Sequence, residues 1–199
     1  MDTAERTYYS QRASEYDDFY LGTGLYAQRN RPGWHEELEA LQALLASQRF
    51  DSVLDVACGT GYLTASLHGP VIGIDQSAPM LAIARERLPR KLFVRGDGLD
   101  LPFRANQFDC LVAAHFYGHL HESARKRFLA EARRVAKSLL IVDAAKRDEV
   151  PAEENQQRVL KDGSRHVVYK RYFTPQQLSA EIGGGRVLQT GRWFVAVSG

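Results

Sequence analysis

The segment from Ser52 to Thr64, with the sequence SVLDVACGTGYLT, constrains the fold of this chain more than any other segment. Residues 53–56 form a short apolar run with the length of a buried strand. Gly59 and Gly61 follow at once and remove two side chains where a ligand can approach the backbone. The apolar spacing of residues 60–67 then predicts a helix. Such a strand–turn–helix corner presents free backbone N–H groups to a nucleotide-like ligand.

Three further apolar runs follow the first, and each ends in a polar or glycine-containing turn. The run 71–74 ends in Asp75, an acidic residue roughly 20 residues after the first motif, where it can accept hydrogen bonds from a ribose diol. The run 92–95 leads into residues 96–103, and the run 108–114 leads into His115. Because the carboxyl ends of parallel strands line one crevice, these turns predict a single ligand site.

The motifs LDVACGTG (54–61), GIDQS (73–77) with Met80 behind it, and GDGLDLPF (96–103) resemble those of one family. In this order and spacing the chain is similar to the class I S-adenosylmethionine-dependent methyltransferases, particularly the small-molecule type with a single domain. The resemblance extends from about Tyr8 to the end of the sequence. It implies an α/β fold: a Rossmann-like three-layer sandwich with a mostly parallel seven-stranded sheet and an antiparallel edge strand.

The resemblance also implies roles for individual residues. The turn 55–61 should hold the methionine part of S-adenosylmethionine, and Asp75 should accept hydrogen bonds from both ribose hydroxyls. The adenine should lie between Gln76 and Met80, with Asp97 accepting from its amino group. The full set of expected cofactor-binding residues is Tyr9, Arg12, Tyr16, Asp55, Ala57, Cys58, Gly59, Thr60, Gly61, Asp75, Gln76, Met80, Asp97, Gly98, Leu99 and His115. The family often has glycine where this chain has Ala57, and alanine fits there if its φ is negative.

The expected reaction is the transfer of a methyl group to a small-molecule acceptor atom (oxygen, nitrogen or carbon) by in-line displacement, leaving S-adenosylhomocysteine. His119 and His115 follow the fourth strand, where the acceptor should arrive, and are the candidate catalytic residues. A general base is needed only if the acceptor must lose a proton. Either histidine can instead line the pocket or cap a helix, and His115 can contact the cofactor. Candidate wall residues for the acceptor are Tyr20, Trp34, Tyr117, Tyr169 and Arg171.

Two other functions stay open at this point. The same scaffold can serve as a non-catalytic S-adenosylmethionine-binding or regulatory protein, because a fold does not determine a function. A nicotinamide-dependent oxidoreductase is also possible, although Thr64 occupies the third position of the G-x-G-x-x-G fingerprint and Asp55 suits a ligand with an ammonium group. Taken singly, Asp75 is also typical of a helix N-terminus, and Asp97 is typical of a turn.

The length of 199 residues predicts one domain, 1–199. Within it, residues 1–32 are expected to form an N-terminal lid or cap, since an aromatic-rich helix over residues 3–20 can cover the pocket or simply pack on the core. Residues 144–173 are expected to form a substrate-side insertion that contains a hairpin around Asp162-Gly163. Helices are predicted over 34–48 and 122–137, from Ala78 onward, and from a Thr174 cap to the glycines at 183–185.

Composition limits the partners of the protein. The net charge of +2 gives no electrostatic case for a nucleic-acid substrate. Cys58 and Cys110 are expected to be buried thiols in a protein of a reducing compartment. No set of Cys and His residues has the spacing of a metal site, so no metal is expected. The polar N-terminus and the lack of a long apolar run favour a cytoplasmic protein without a membrane partner. The expected assembly is a monomer or a homodimer.

Overall fold

The computed structural model of the protein describes residues 3–199, so the first two residues of the expected 1–32 cap lie outside the described part. Nine strands are present in this part. In chain order they are β1 (Val53–Val56), β2 (Val71–Asp75), β3 (Leu92–Arg95), β4 (Phe108–Ala114), β5 (Ala136–Ala144), β6 (Glu153–Val159), β7 (Arg165–Arg171), β8 (Arg186–Thr190) and β9 (Phe194–Ser198).

Seven of these strands form one sheet in the spatial order β3-β2-β1-β4-β5-β9-β8, and β6 and β7 form a separate antiparallel pair. The strands β1 to β5 run parallel to their neighbours. The strand β9 runs antiparallel to both β5 and β8, which it separates. The predicted fold, a mostly parallel seven-stranded sheet of Rossmann-like type with one antiparallel strand near an edge, is confirmed, and that strand is β9, next to the outermost strand β8.

Helices cover both faces of the sheet and complete a three-layer sandwich. The α-helices in the described part are α1 (Thr3–Gln11), α2 (Asp18–Leu21), α3 (Trp34–Ser47), α4 (Ala78–Arg87), α5 (Glu122–Val135) and α6 (Pro175–Glu181). One face of the sheet packs against Phe128 of α5 and Leu178 of α6, while the other packs against Leu38 and Leu41 of α3. The helix α4 closes the β3 end of the sheet through Leu81 and Ala84.

Local sequence signals explain where two of the helices begin. At α4 the Ser77 hydroxyl caps the helix by accepting from the Met80 N–H, with a proline in the first turn. At α6, Thr174 and Gln177 form a reciprocal capping box. The helix then ends at the glycines 183 and 184, which both adopt positive φ.

Two predicted helices are shorter than the sequence pattern indicates. The segment 60–67 contains only a 3-10 turn, Thr64–Ser66, because Gly61 adopts a left-handed conformation and Pro70 already precedes β2. The expected helix over 3–20 breaks after α1 into a 3-10 turn, Ala13–Glu15, and the short α2. The break lets Tyr20 stack on Tyr62, with ring centroids 4.3 Å apart, behind the turn that follows β1.

The β6–β7 pair packs against the N-terminal segment. Tyr8 of α1 is buried together with Leu160 and Val168 of the hairpin. The Glu15 carboxylate accepts from the backbone N–H of Lys161 at 3.1 Å, and the Lys161 ammonium lies 2.7 Å from Asp18. We call residues 3–32 together with this hairpin the cap. Within the described residues, no helix has both the length and the apolar character needed to cross a bilayer.

Candidate active site

The turn after β1 lies at the carboxyl edge of the sheet and contains three residues with left-handed backbone. The φ angles are +58° at Ala57, +55° at Gly59 and +75° at Gly61. The negative φ that alanine needs at position 57 is therefore not present, and this side chain costs roughly 1–2 kcal/mol of backbone strain. A Cβ on Gly61 would lie 3.3 Å from the Cβ of Ala84, so this glycine lets the turn pack closely on α4.

Asp75, the last residue of β2, places its carboxylate at the wall of a cavity between this turn and α4. One carboxylate oxygen accepts from the Gly59 N–H at 2.9 Å, and the other accepts from the Ser77 N–H at 2.8 Å. Burial raises the pKa of Asp75, while these backbone donors lower it. The carboxylate thus fixes the glycine turn against the start of α4 and still faces the cavity.

Polar groups also meet where β3 ends. The Asp97 carboxylate accepts from the Gln76 amide at 3.0 Å and from the Leu99 N–H at 2.9 Å. A Cβ on Gly98 would lie only 2.8 Å from a methyl group of Val56, so a side chain at position 98 would displace the end of β1. The structure therefore brings the second and third predicted motifs together with the first.

Ten of the predicted site residues line this cavity, together with four residues that the sequence patterns did not single out as ligands. Its complete lining is Tyr9, Tyr16, Ala57, Gly59, Ile74, Asp75, Gln76, Ser77, Met80, Gly96, Gly98, His115, Phe116 and His119. Ile74, Ser77, Gly96 and Phe116 were missed. All four directly flank predicted residues, so the ends of the strands were the signal that could have found them.

The remaining predicted residues lie around the cavity and do not line it. Asp55 and Cys58 border a smaller adjoining pocket. Burial raises the pKa of Asp55 to about 7, and its carboxyl accepts from the Thr64 hydroxyl at 2.5 Å. Leu99 belongs to the hydrophobic core, and Asp97 borders an outer pocket with Gln76.

Thr60 links the glycine turn to the cap. Its hydroxyl donates to Asp17 at 2.6 Å, and Arg87 of α4 donates to the Thr60 carbonyl oxygen at 2.8 Å. Arg87 also pairs with Asp17. These contacts hold α2 of the cap against the turn. Thr60, which was expected to bind the cofactor, does not line the first cavity and instead positions the cap.

His115 follows β4 and sits in a left-handed conformation with φ of +55°. Its ring lies among the rings of Phe19, Tyr20 and Phe194, at centroid distances of 5.7, 5.9 and 5.3 Å. Burial lowers the pKa of His115 to about 4. Its Nε2 atom is buried and has no hydrogen-bond partner among the described residues. The imidazole is therefore neutral at pH 7 and has an unused polar atom.

His119 lies one turn further along, in the 3-10 turn Tyr117–His119. Its Nδ1 is 2.7 Å from the carbonyl oxygen of Tyr169, which makes Nδ1 the protonated nitrogen and Nε2 the acceptor. Burial and the nearby Lys170 ammonium lower the pKa of His119 well below its usual range. The ring is thus held neutral, as a general base must be before it accepts a proton.

A second cavity, of about 410 Å³, lies between the sheet edge and the cap. It shares Tyr9, Tyr16, His115 and His119 with the first cavity, so the two meet at these side chains. Among the candidate wall residues, Trp34 lines it. Tyr20, Tyr117, Tyr169 and Arg171 do not line it.

The reasons for these four differences are local. Tyr20 is buried behind the glycine turn, and the Tyr117 hydroxyl donates to Glu181 at 2.9 Å. Tyr169 and Arg171 project from the other side of the hairpin into a separate surface pocket with Glu122. In residues 3–199, no group of three or more His, Cys, Asp or Glu side chains is arranged to hold a metal ion.

Sequence comparison identifies relatives of the segment that builds this site. Residues 53–138 match the model of the family described as "Methyltransferase domain". The demethylmenaquinone methyltransferase of Thermotoga maritima is 40% identical over 92 residues, covering 44% of this chain and 39% of that protein. The phthiotriol/phenolphthiotriol dimycocerosates methyltransferase of Mycobacterium tuberculosis is 43% identical over 93 residues, covering 42% and 33%. The matches therefore span well under half of either relative.

Structural comparison extends the likeness to nearly the whole chain. The DhpI-SAM-HEP complex superposes with a TM-score of 0.78 at 24% identity, covering 98% of this chain and 95% of that one. The DhpI-SAH complex gives a TM-score of 0.72 at 25% identity, covering 98% and 94%. The cap as well as the sheet is included in these superpositions, since only 2% of this chain falls outside them.

Proposed function

We propose that the chain is a class I S-adenosylmethionine-dependent methyltransferase and that it transfers a methyl group from S-adenosylmethionine to a small-molecule acceptor. One observation supports this proposal above the others. The carboxyl ends of β1, β2 and β4 meet at a single cavity, with the Asp75 carboxylate on its wall and a second cavity adjoining at two neutral histidines. The two adjoining cavities thus offer neighbouring binding sites for a cofactor and an acceptor.

The side chains of the first cavity fit an adenosyl ligand. Ile74, Met80 and Phe116 offer an apolar slot, and Asp75 and Gln76 offer polar groups at its edge. We propose that Asp75 accepts from the ribose hydroxyls, that Gln76 and Met80 flank the adenine, and that Asp97 accepts from the adenine amino group. The Asp55–Gly61 turn would hold the methionine part.

The cap must open for this ligand to enter. The first cavity measures about 50 Å³, whereas small-molecule sites typically offer about 300 Å³ or more. We propose that residues 1–32 act as a lid, with Tyr9, Arg12 and Tyr16 closing over the site, and that residues 144–173 form the substrate-side insertion of the single domain. Tyr9 and Tyr16 already line both cavities.

The bound cofactor supplies a methyl group on a sulfonium, activated for in-line displacement. The chain's own residues align the acceptor and exclude water. Tyr9 and Tyr16 place aromatic rings at the boundary of the two cavities, where they can stabilise a cation. The Nε2 atom of His119 can accept a proton from an acceptor that must lose one, and His115 offers its unpaired Nε2 beside it.

We further propose a small molecule, and not a nucleic acid, as the acceptor, since the net charge of +2 gives no broad basic surface. The proposal extends to a monomer or homodimer that acts in the cytoplasm. The two cysteines support the reducing compartment, because Cys58 and Cys110 are both buried and free.

Isothermal titration calorimetry with S-adenosylhomocysteine, and in parallel with NADH, tests the cofactor assignment. The wild type, Asp75→Asn and the exposed control Asp51→Asn are compared, and thermal unfolding of each verifies the fold. We expect S-adenosylhomocysteine to bind the wild type and the control equally, and Asp75→Asn at least about tenfold more weakly, a loss of about 1.4 kcal/mol. Binding of NADH alone would instead identify a dinucleotide site.

A screen for methyl transfer with labelled S-adenosylmethionine separates the enzyme from a non-catalytic binding protein on the same scaffold. Turnover of a small-molecule acceptor that is reduced in Asp75→Asn supports the proposed function. Tight S-adenosylhomocysteine binding without turnover of any acceptor class favours the regulatory alternative.

A further inference from the structure

The second cavity is strongly basic although the whole chain is nearly neutral. Its wall contains six cationic side chains and one carboxylate, Glu154. The cationic residues are Arg12, Arg29, Arg31, Arg147, Arg158 and Lys170. The Glu154 carboxylate already accepts from the Tyr172 hydroxyl and the Gln156 amide, each at 2.8 Å. With a chain charge of only +2, this concentration of positive charge is local to the cavity.

Arg12 is the cation in this cavity that is most deeply buried, with 4% of its surface exposed. Its guanidinium donates to the Tyr26 hydroxyl at 2.9 Å and lies 4.9 Å from the centre of the Tyr16 ring. Among the side chains that the structure describes, it has no carboxylate partner. A buried guanidinium stays charged, and burying a charge without a counter-ion is costly. A ligand with negative charge would offset that cost.

Arg158 of β6 lies beside Arg12. Both guanidinium groups approach the same Tyr8 ring, at 5.7 Å for Arg12 and 5.9 Å for Arg158. Arg158 donates to the Gln156 side-chain oxygen at 2.5 Å and to the Tyr8 hydroxyl at 3.3 Å, and it likewise has no described carboxylate partner. The two guanidinium groups carry like charges and repel each other. The binding of an anion that contacts both would relieve this repulsion.

The other cations of the cavity differ from this pair. Lys170 and Arg147 have carboxylate neighbours, whereas Arg29 and Arg31, for which the described residues offer none, lie over aromatic rings, and Arg29 is exposed. Lys170 is paired with Asp143 at 2.5 Å. Arg31 lies 3.8 Å over the Trp34 ring, and Arg147 lies 4.6 Å over Trp193. The shared wall of Tyr9, Tyr16 and the two histidines puts this pair beside the proposed methyl-transfer site.

We propose that the second cavity binds the methyl acceptor through an oxyanion, a carboxyl or phosphoryl group, held between Arg12 and Arg158. This substrate class rests on the proposed function, because it identifies the second cavity as the acceptor site. A guanidinium matches either group, since its N–H donors form paired hydrogen bonds to carboxylate and phosphate oxygens. The acceptor is thus a small organic acid or phosphate ester, and neutral analogues are excluded by the unpaired charges they would leave.

The test measures anion binding to the protein saturated with S-adenosylhomocysteine, so saturation itself first tests the proposed function. Inorganic phosphate, acetate and the neutral acetamide are titrated by calorimetry into the wild type, Arg158→Gln, Arg12→Gln and Arg165→Gln. Arg165 is an exposed residue of the same hairpin that does not line the cavity, and it is the matched control. Circular dichroism and thermal unfolding show whether each variant retains its fold, and every titration is made at a concentration of S-adenosylhomocysteine that saturates the variant.

We expect phosphate, acetate or both to bind the wild type and Arg165→Gln equally, and to bind Arg158→Gln and Arg12→Gln at least tenfold more weakly. Preference for phosphate indicates a phosphoryl group, and preference for acetate indicates a carboxyl group. Acetamide should not bind. Failure of both anions to bind a protein that holds S-adenosylhomocysteine, or equal binding in all variants, would overturn the anionic acceptor and leave the cofactor assignment intact. Failure to hold S-adenosylhomocysteine would overturn the proposed function itself.

Discussion

At the scale of single residues, Asp55 connects ligand binding to pH. Burial raises the pKa of this carboxyl to about 7 in the ligand-free protein, so the group is largely protonated below that pH. The small pocket that it borders shares Tyr16 and Ala57 with the proposed cofactor cavity. An ammonium group of the ligand would favour the ionised carboxylate, and binding would then release a proton.

We therefore predict that S-adenosylhomocysteine binds more tightly as pH rises from 6 to 7.5. Since the bound form needs the carboxylate, and the pKa is about 7, the gain should be roughly tenfold. Calorimetry across this pH range measures it, with Asp55→Asn as the variant that should lose the dependence and Asp51→Asn as a control that should keep it. A pH dependence that persists in Asp55→Asn would assign the titration to another group.

The positions of several single residues could be predicted because a strand end fixes them. Asp75 and Gly59 each follow an apolar run, and both reach the cavity. The conformation of Ala57 could not be predicted in this way, because a left-handed alanine is determined by the tertiary position of the turn and not by its own preference. The hydrogen bond from Thr60 to the cap could not be predicted either, since its partner Asp17 lies 43 residues away in the sequence.

At the scale of elements, the N-terminal part of the cap, residues 3–32, has two separate attachments. The Asp17 carboxylate ties it to the glycine turn and α4 through Thr60 and Arg87. Asp18, the next residue, ties it to the hairpin through Lys161 at 2.7 Å. Neighbouring aspartates thus hold the same segment to opposite sides of the site.

Removing the contacts of Asp17 with Thr60 and Arg87 should increase the rates at which a ligand enters and leaves the cavity. We predict that Asp17→Ala increases both the association and the dissociation rate of S-adenosylhomocysteine by several-fold, with a smaller change in affinity, because opening precedes passage in both directions. Stopped-flow fluorescence measures the rates, and hydrogen exchange of residues 13–21 should increase in parallel.

The matched control for this experiment is Asp18→Ala, which cuts the contact with the hairpin and keeps the contact with the glycine turn. Its rates should stay closer to those of the wild type. If both variants exchange ligand at the wild-type rate, α2 of the cap does not control access to the cavity.

Most strands could be predicted from the sequence, and the helices less well. The runs 92–95 and 108–114 coincide with β3 and β4, because consecutive apolar residues between turn signals are typical of buried parallel strands. The aromatic segment 3–20 gave a helical pattern, but its tyrosines contact different surfaces: Tyr8 packs on the hairpin, Tyr9 on His119 and Tyr20 on Tyr62. No single helical face can satisfy those contacts, and the chain breaks between α1 and α2.

At the scale of the whole molecule, ligand binding should appear as added stability. A ligand that binds only the folded state at one hundred times its Kd contributes about 2.7 kcal/mol. For a chain of 199 residues, each kcal/mol raises Tm by about 2–4 °C. We predict that saturating S-adenosylhomocysteine raises Tm by about 5–11 °C in differential scanning calorimetry, whereas NADH at the same concentration leaves Tm unchanged. An equal increase with both compounds would indicate unspecific nucleotide binding.

The fold class was the most predictable property of the molecule, and the acceptor cavity was the least. The mostly parallel seven-stranded sheet was implied by the resemblance of the three motifs to one family, whereas the strand order became known only from the structure. The basic cavity instead brings together Arg12 of the N-terminal segment and Arg158 of the hairpin, which lie 146 positions apart in the sequence (158 − 12). No local pattern brings such residues together before the fold does.

The partition between the two cavities consists of side chains: Tyr9, Tyr16, His115 and His119 belong to both walls. A ligand in one cavity therefore sets the rotamers that the other ligand meets. The two binding equilibria should be thermodynamically coupled, and the coupling must be reciprocal: an acid that binds more tightly beside S-adenosylhomocysteine increases the affinity for S-adenosylhomocysteine by the same factor. In steady-state kinetics such a shared wall favours a ternary complex with an ordered addition of the two substrates over independent, random binding.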